Sequence, residues 1–152
     1  MEVVVALLVL GVAVVGGWGS ASAGDFYPQL AKPSWAPPSW LFGPVWAVLY
    51  LCIAIAGILY LRSSSDDKLP GMILFGSQLF LNAIWSWCFF AWRRGHVAFV
   101  VILLLLAAIV FFAWVAYRPS PISSFLFVPY AVWVGFAAML NFVLWQRNSD
   151  VL

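Results

Sequence analysis

Residues 97–117 read VAFVVILLLLAAIVFFAWVAY, a run with no charged residue, no proline and no glycine. A spanning helix needs about 20 apolar residues to cross about 30 Å of hydrocarbon, and this stretch has that length. A helix at a protein–water boundary carries a polar face. The segment around Ile102–Leu106 has none, so it is read as scaffold or as a lipid-facing wall.

Working outward, the run is bounded by chain breakers. Arg118-Pro119-Ser120-Pro121 follows it and Arg93-Arg94-Gly95-His96 precedes it. Beyond these lie further apolar stretches of spanning length, at about 122–145 with Pro129 inside, and at about 70–92. A charged loop, Arg62 to Lys68, separates the latter from a stretch at about 41–61. Pro44 falls in the first turn of that stretch, where its missing N–H removes no helical bond. A first apolar run begins at Val3, and small residues extend it to Ala23. Ala21-Ser22-Ala23 resembles a signal-peptide cleavage site, but Glu2 leads the run and no Lys or Arg precedes it. A retained first helix over about 3–23 is therefore the expectation. The fold class is an all-α integral membrane protein, a bundle of five transmembrane helices forming one domain over 1–152. Short loops predict that consecutive helices are antiparallel and adjacent.

Composition agrees. Of 152 residues, 66% are hydrophobic and 8% are charged, against the roughly 25% that keeps a soluble surface wet. Mean hydropathy is +1.05. The bilayer is thus the first partner. Seven basic and five acidic residues leave a net charge of +2, too small and scattered for a nucleic-acid footprint. On a five-span topology, Lys32, Arg93, Arg94 and Arg147 share one side, and Arg62, Lys68 and Arg118 the other. Four against three slightly favours the C-terminus in the cytoplasm. Cys52 and Cys88 both sit in apolar runs and are read as small core residues.

Residues 24–40 are not a span. Pro28, Pro33, Pro37 and Pro38, together with Asp25 and Lys32, forbid a continuous apolar helix. The stretch Lys32-Pro33-Ser34-Trp35-Ala36-Pro37-Pro38 is expected to be stiff and extended, near polyproline geometry, at the membrane–water boundary that its aromatics favour.

Acid–base catalysis is disfavoured. His96 stands alone in a basic loop, no carboxylate lies within a span, and no phosphate-cradling glycine loop occurs. No metal site and no required cofactor are expected. The same lack of intramembrane charge argues against an ion path.

The polar and aromatic residues inside the spans are more informative. Gln78 and Asn82 are one turn apart on the third span, and Trp85 follows Asn82 by three. Trp133, Ala137 and Asn141 recur every four residues on the fifth. On the second, Trp46 and Tyr50 begin a stripe continued by Ala54 and Gly57. An amide in hydrocarbon needs a partner, so these faces point inward. Spacing alone supports two readings: amides that bond helix to helix, or a ligand pocket. Aromatics make up 18% of the chain, with ten tryptophans. Trp18, Trp40, Trp92 and Trp145 lie near span ends and read as interfacial belt. Trp46 and Trp133 differ, because each shares a stripe with small residues. Such rings can wall a slot for a flat, mostly apolar ligand, although packing accounts for them equally well.

Four segments together resemble the translocator protein family, also called tryptophan-rich sensory proteins (TspO/MBR, the peripheral-type benzodiazepine receptor family). They are Lys32–Pro38 followed by Trp46-Ala47-Val48-Leu49-Tyr50; Gln78–Asn82 with Trp85; Pro129-Tyr130-Ala131-Val132-Trp133; and Ala137, Leu140 and Asn141. They run in the family's order across nearly the whole chain. The resemblance implies a five-helix bundle whose pocket opens toward the first loop and binds porphyrins such as protoporphyrin IX or a heme-like tetrapyrrole. In eukaryotic relatives it also implies cholesterol and benzodiazepine-type drugs as ligands. Pocket positions carry over to Tyr27, Trp46, Asn82, Trp85, Trp133 and Ala137, with Gln78 and Asn141 on the same faces. Trp35 and Pro38 would belong to a lid over residues 24–40. The implied roles are tetrapyrrole transport, sensing or stress regulation. Light-dependent porphyrin breakdown is an alternative, with Trp46 and Trp133 as the matching tryptophans; a cholesterol- or lipid-binding translocator is another. The implied location is a bacterial envelope membrane, or the outer mitochondrial membrane in a eukaryote.

The chain departs from the family pattern twice. Phe142 stands where sterol-responsive members carry the tyrosine of a Leu/Val–Tyr–Arg/Lys pattern ending here at Arg147, which weakens the case for a sterol. Gly71, Gly76 and Ala83 are wrongly spaced for a small-xxx-small pair on the third span. A homodimer would need another interface; Ala131 and Gly135 on the fifth span form a small-xxx-small pair that can support close helix contact but sets no oligomeric state.

Overall fold

The computed structural model describes residues 1–152 and contains six α-helices and no strand. Five are long and apolar enough to cross a membrane. Inside hydrocarbon every backbone N–H and C=O must find its partner within the chain, and helices achieve this within one segment. Helix α1 spans Glu2–Gly19, α3 Phe42–Arg62, α4 Leu69–Ser86, α5 Gly95–Ala116 and α6 Pro121–Arg147. The short α2, Ala23–Phe26, lies between α1 and α3. Pro70 and Pro121 sit in the first turns of α4 and α6, and Pro129 lies within α6.

The first span is shorter than the expected 3–23, because Ser20–Ser22 form a turn before α2. The lid segment 24–40 is only partly extended. It holds single 3-10 turns at Tyr27–Gln29 and Ser39–Leu41, and a turn closed by Ala36 N–H on the Pro33 carbonyl. Polyproline geometry persists at Leu30 and Pro38. Helix α4 runs into a π-turn, Trp87–Ala91, marked by Trp92 N–H bonding the Trp87 carbonyl. Arg93 then takes a left-handed φ of 52° to reverse the chain.

The five long helices form a ring in the order α1, α3, α6, α5, α4. The expectation that consecutive spans are neighbours holds for α4 with α5 and for α5 with α6. It fails for α3 and α4, because α1 wedges between them. Their backbones come together near the connecting loop, where Gly71 lies under the Tyr60 ring and Gly57 faces Phe75; farther along, long side chains bridge them. Two glycines admit those rings. At the same end an aromatic cluster fills the bundle, with Phe112 at 4.3 Å from Phe127 and 5.4 Å from Tyr60, and Phe127 at 5.7 Å from Tyr130, centroid to centroid. Lipid tails are as apolar as these side chains, so dense packing rather than water exclusion holds the helices together. A bidentate ion pair from Arg62 to Glu2 joins α3 to the start of α1 here. At the opposite end, under the lid, α1 stays against Trp87 of the π-turn, and a hollow opens among α1, α3 and α4.

Candidate ligand-binding site

That hollow is a cavity of about 470 Å³, within the range of small-molecule sites. Helix α1 contributes a wall without bulk: Ala13, Gly16, Gly17 and Ser20. Opposite stand Phe42, Trp46 and Tyr50 of α3, and Trp85, Ser86 and Phe90 from α4 and its π-turn. The Trp46 and Trp85 rings lie 6.4 Å apart and tilted by 35°. Trp46 also sits 5.6 Å from Tyr50 and 6.2 Å from Tyr130.

The floor is polar and internally bonded. Tyr50 Oη donates to Asn82 Oδ1 at 2.9 Å, Asn82 Nδ2 donates to Tyr130 Oη at 2.7 Å, and Tyr130 Oη donates to Gln78 Oε1 at 3.1 Å. This chain bridges α3, α4 and α6. Gln78 and Asn82 are thus bonded helix to helix, and Tyr50 is the member that lines the cavity. A Cβ on Gly16 would lie 3.3 Å from Tyr50 Oη, so a residue without a side chain lets α1 approach that hydroxyl. Trp85 is oriented from behind: its Nε1 donates to Asn141 Oδ1 at 3.1 Å, while Asn141 Nδ2 donates to the Gly95 carbonyl at 2.9 Å.

The roof is a laced segment. Tyr27 Oη donates to the Pro37 carbonyl at 2.9 Å, and the ring lies edge-on to Phe42 at 5.2 Å. Burial pushes the Tyr27 hydroxyl up to about 12, so it stays a donor. Lys32 Nζ donates to the Tyr27 and Pro28 carbonyls at 3.2 and 3.1 Å and sits over the Tyr27 ring. The Asn148 amide exchanges bonds with the Ala31 backbone, and Arg147 donates to the Lys32 carbonyl. Arg93 lies over the Phe26 ring at 4.5 Å.

The structure therefore divides the expected site residues. Tyr27, Trp46 and Trp85 line the cavity. Gln78, Asn82 and Asn141 stand behind it as hydrogen-bonding partners, with Asn141 and Ala137 bordering a cleft of about 20 Å³ behind Trp85. Trp35 packs on Phe136 at 5.8 Å, and Pro38 is exposed beside Ser39; neither lines the cavity. Trp133 lies apart from Trp46. Its ring packs on Phe42 and Phe136 and borders an outer groove of about 660 Å³ between α3 and α6, with Pro44 and Pro129. Between the second and fifth spans lies a surface groove, and the cavity lies on the other side of α3. Sequence reasoning overlooked the α1 wall, Ser86 and Phe90. Adjacent Gly16 and Gly17 in a Val- and Leu-rich span were the available signal.

Comparison with known proteins is consistent with this architecture. The sequence pattern of the TspO/MBR family matches residues 3–146. The chain is 36% identical to a tryptophan-rich protein TspO of Chlorobaculum tepidum, over 97% of this chain and 98% of that one. It is 38% identical to the translocator protein of Ovis aries, over 82% and 75%, and 32% identical to protein CrtK of Rhodobacter capsulatus, over 90% and 87%. This protein is therefore a multi-pass integral membrane protein that belongs to the TspO/MBR family.

Proposed function

We propose that this protein binds porphyrins of the protoporphyrin IX type in the cavity among α1, α3 and α4, and serves tetrapyrrole transport, sensing or stress regulation. The observation that carries the reading is the pair of indoles, Trp46 and Trp85, that face an α1 wall built of small residues. A planar apolar ring gains dispersion contact on such a surface. Tyr50 and Ser86 offer polar contacts at depth, and Ser20 and Ser39 offer them nearer the lid. The ring's carboxylates belong at that lid end, where polar headgroups lie. Titration in lipid nanodiscs tests this. Tryptophan fluorescence should be quenched saturably by protoporphyrin IX, and cholesterol, which does not itself quench, should relieve that quenching only weakly when added as a competitor. Linear, non-saturating quenching rejects the reading.

A second reading is light-dependent porphyrin breakdown. Its support is the aromatic series from the cavity inward, in which Trp46 lies within 6.4 Å of Trp85, Tyr50 and Tyr130, centroid to centroid. With dissolved dioxygen as the oxidant of the excited ring, such a series can supply the electrons that reduce the oxygen adduct, without acid–base residues. It requires that illumination remove the porphyrin absorption band faster than free tryptophan does and yield a single product. A mixture of bleached products reduces the activity to a side reaction of binding.

A further inference from the structure

The lining of the cavity is not uniformly buried. Gly16, Tyr27, Trp85, Ser86 and Phe90 are buried, whereas Gly17, Gly24, Ser39, Trp40 and Gly43 are exposed. The exposed set traces the seam between the lid-side half of α1 and the start of α3. The geometry points to a lateral portal along this seam, through which an apolar ligand enters from the bilayer rather than from water through the lid. This inference rests on the cavity being the ligand site.

Three observations support it. Gly17, Gly24 and Gly43 have no atom within 4 Å of an added Cβ, so the seam is open at each. Helix α1 is held on its other flank and at its far end. Trp87 Nε1 donates to the Val15 carbonyl, and Glu2 pairs with Arg62. Toward α3 its lid-side half has only the approach of Gly16 to the Tyr50 hydroxyl, with no hydrogen bond between them. The lid, in contrast, is stitched to the end of α6 by Arg147 and Asn148, and is closed on itself by the Tyr27–Pro37 bond. Trp18 and Trp40, both about 70% exposed, flank the seam and mark the interfacial depth. An amphipathic ring with carboxylates lies at that same depth, its plane in hydrocarbon and its charges among headgroups. The portal thus meets its ligand where the bilayer already holds it.

The test is stopped-flow quenching in nanodiscs, with protoporphyrin IX preloaded in the lipid. Gly17→Leu and Gly43→Leu add bulk to open space, so both should fold. Each should slow association by about tenfold, the effect of a modest added barrier, and should slow dissociation as well. Asn148→Ala, which unstitches the lid, should leave association from lipid unchanged. Faster association in Asn148→Ala, with unslowed association in both leucine variants, places entry at the lid and overturns the portal. Leucine variants that only speed dissociation mark mere lining contacts and also overturn it. Pyrene, a flat hydrocarbon without carboxylates, is the second probe. If protoporphyrin IX fails to bind while pyrene entry is slowed by the leucine variants, the porphyrin reading fails and the portal stands. If neither probe enters more slowly, the portal is rejected.

Discussion

Asn82 on α4 donates to the Tyr130 hydroxyl on α6 across 2.7 Å, and both side chains are fully buried beneath the cavity. The same amide accepts from Tyr50 on α3, so one residue sets the spacing of three helices. Loss of the amide removes two hydrogen bonds at once and leaves the Tyr50 hydroxyl without its acceptor, while Tyr130 keeps its bond to Gln78, so the cost exceeds that of a single hydrogen bond. Asn82→Ala should destabilise the protein by about 1–3 kcal/mol. A double-mutant cycle with Tyr130→Phe should return a coupling of about 0.6–2 kcal/mol, read from reversible unfolding in mixed micelles. Additive effects would show that the pair does not interact.

Trp46 and Trp133 are expected to behave differently. Trp46 lines the cavity, whereas Trp133 faces the outer groove behind Phe42. Trp46→Ala and Trp85→Ala should weaken porphyrin binding by about tenfold, as expected for losing an aromatic contact and its buried area. Trp133→Ala should change the Kd by less than about threefold. The reverse pattern in a quenching titration would place the ligand between α3 and α6.

The glycines separate by packing. A Cβ on Gly57 would stand 2.5 Å from Phe75, and one on Gly19 would stand 2.8 Å from Trp87. Gly57→Ala and Gly19→Ala should each cost about 1–3 kcal/mol through overpacking. Gly76→Ala meets open space and should be near neutral. Thermal unfolding of the three variants in one detergent decides this.

The lid should weaken in alkali. The Tyr27 hydroxyl is raised from 10 to about 12 by burial. Below pH 10 the folded and unfolded chains both hold this proton, and the stabilisation is complete. As pH rises from 10 to 12 the unfolded chain loses the proton first, so stability falls across that window. Tyr27→Phe should flatten that part of the melting temperature profile. An unchanged profile would mean that Tyr27 does not govern the lid.

Much of this architecture could be read without coordinates. Five spans were legible because hydrocarbon imposes both a length and an exclusion of charge, and the observed ends fall close to the breakers at Arg62, Arg93 and Arg118. The inward direction of Gln78, Asn82 and Asn141 was legible because an amide cannot face lipid unpartnered. Which partner each would take was not, since glue and pocket have the same spacing. In the structure each is hydrogen-bonded to a neighbouring helix, and Tyr50 and Trp85 carry the contact onward to the cavity.

By itself, the order of residues determined the helices, their inward faces and the proline-rich roof, because these follow from local backbone chemistry and from the solvent that each segment must meet. Only the tertiary structure decided where the hollow lies. The position of α1 between α3 and α4 follows from contacts distant in sequence, among them Val5 against Gly57 and Trp87 against Val15 and Gly19. Periodicity along a single helix carries no information about which neighbour will fill the gap beside it.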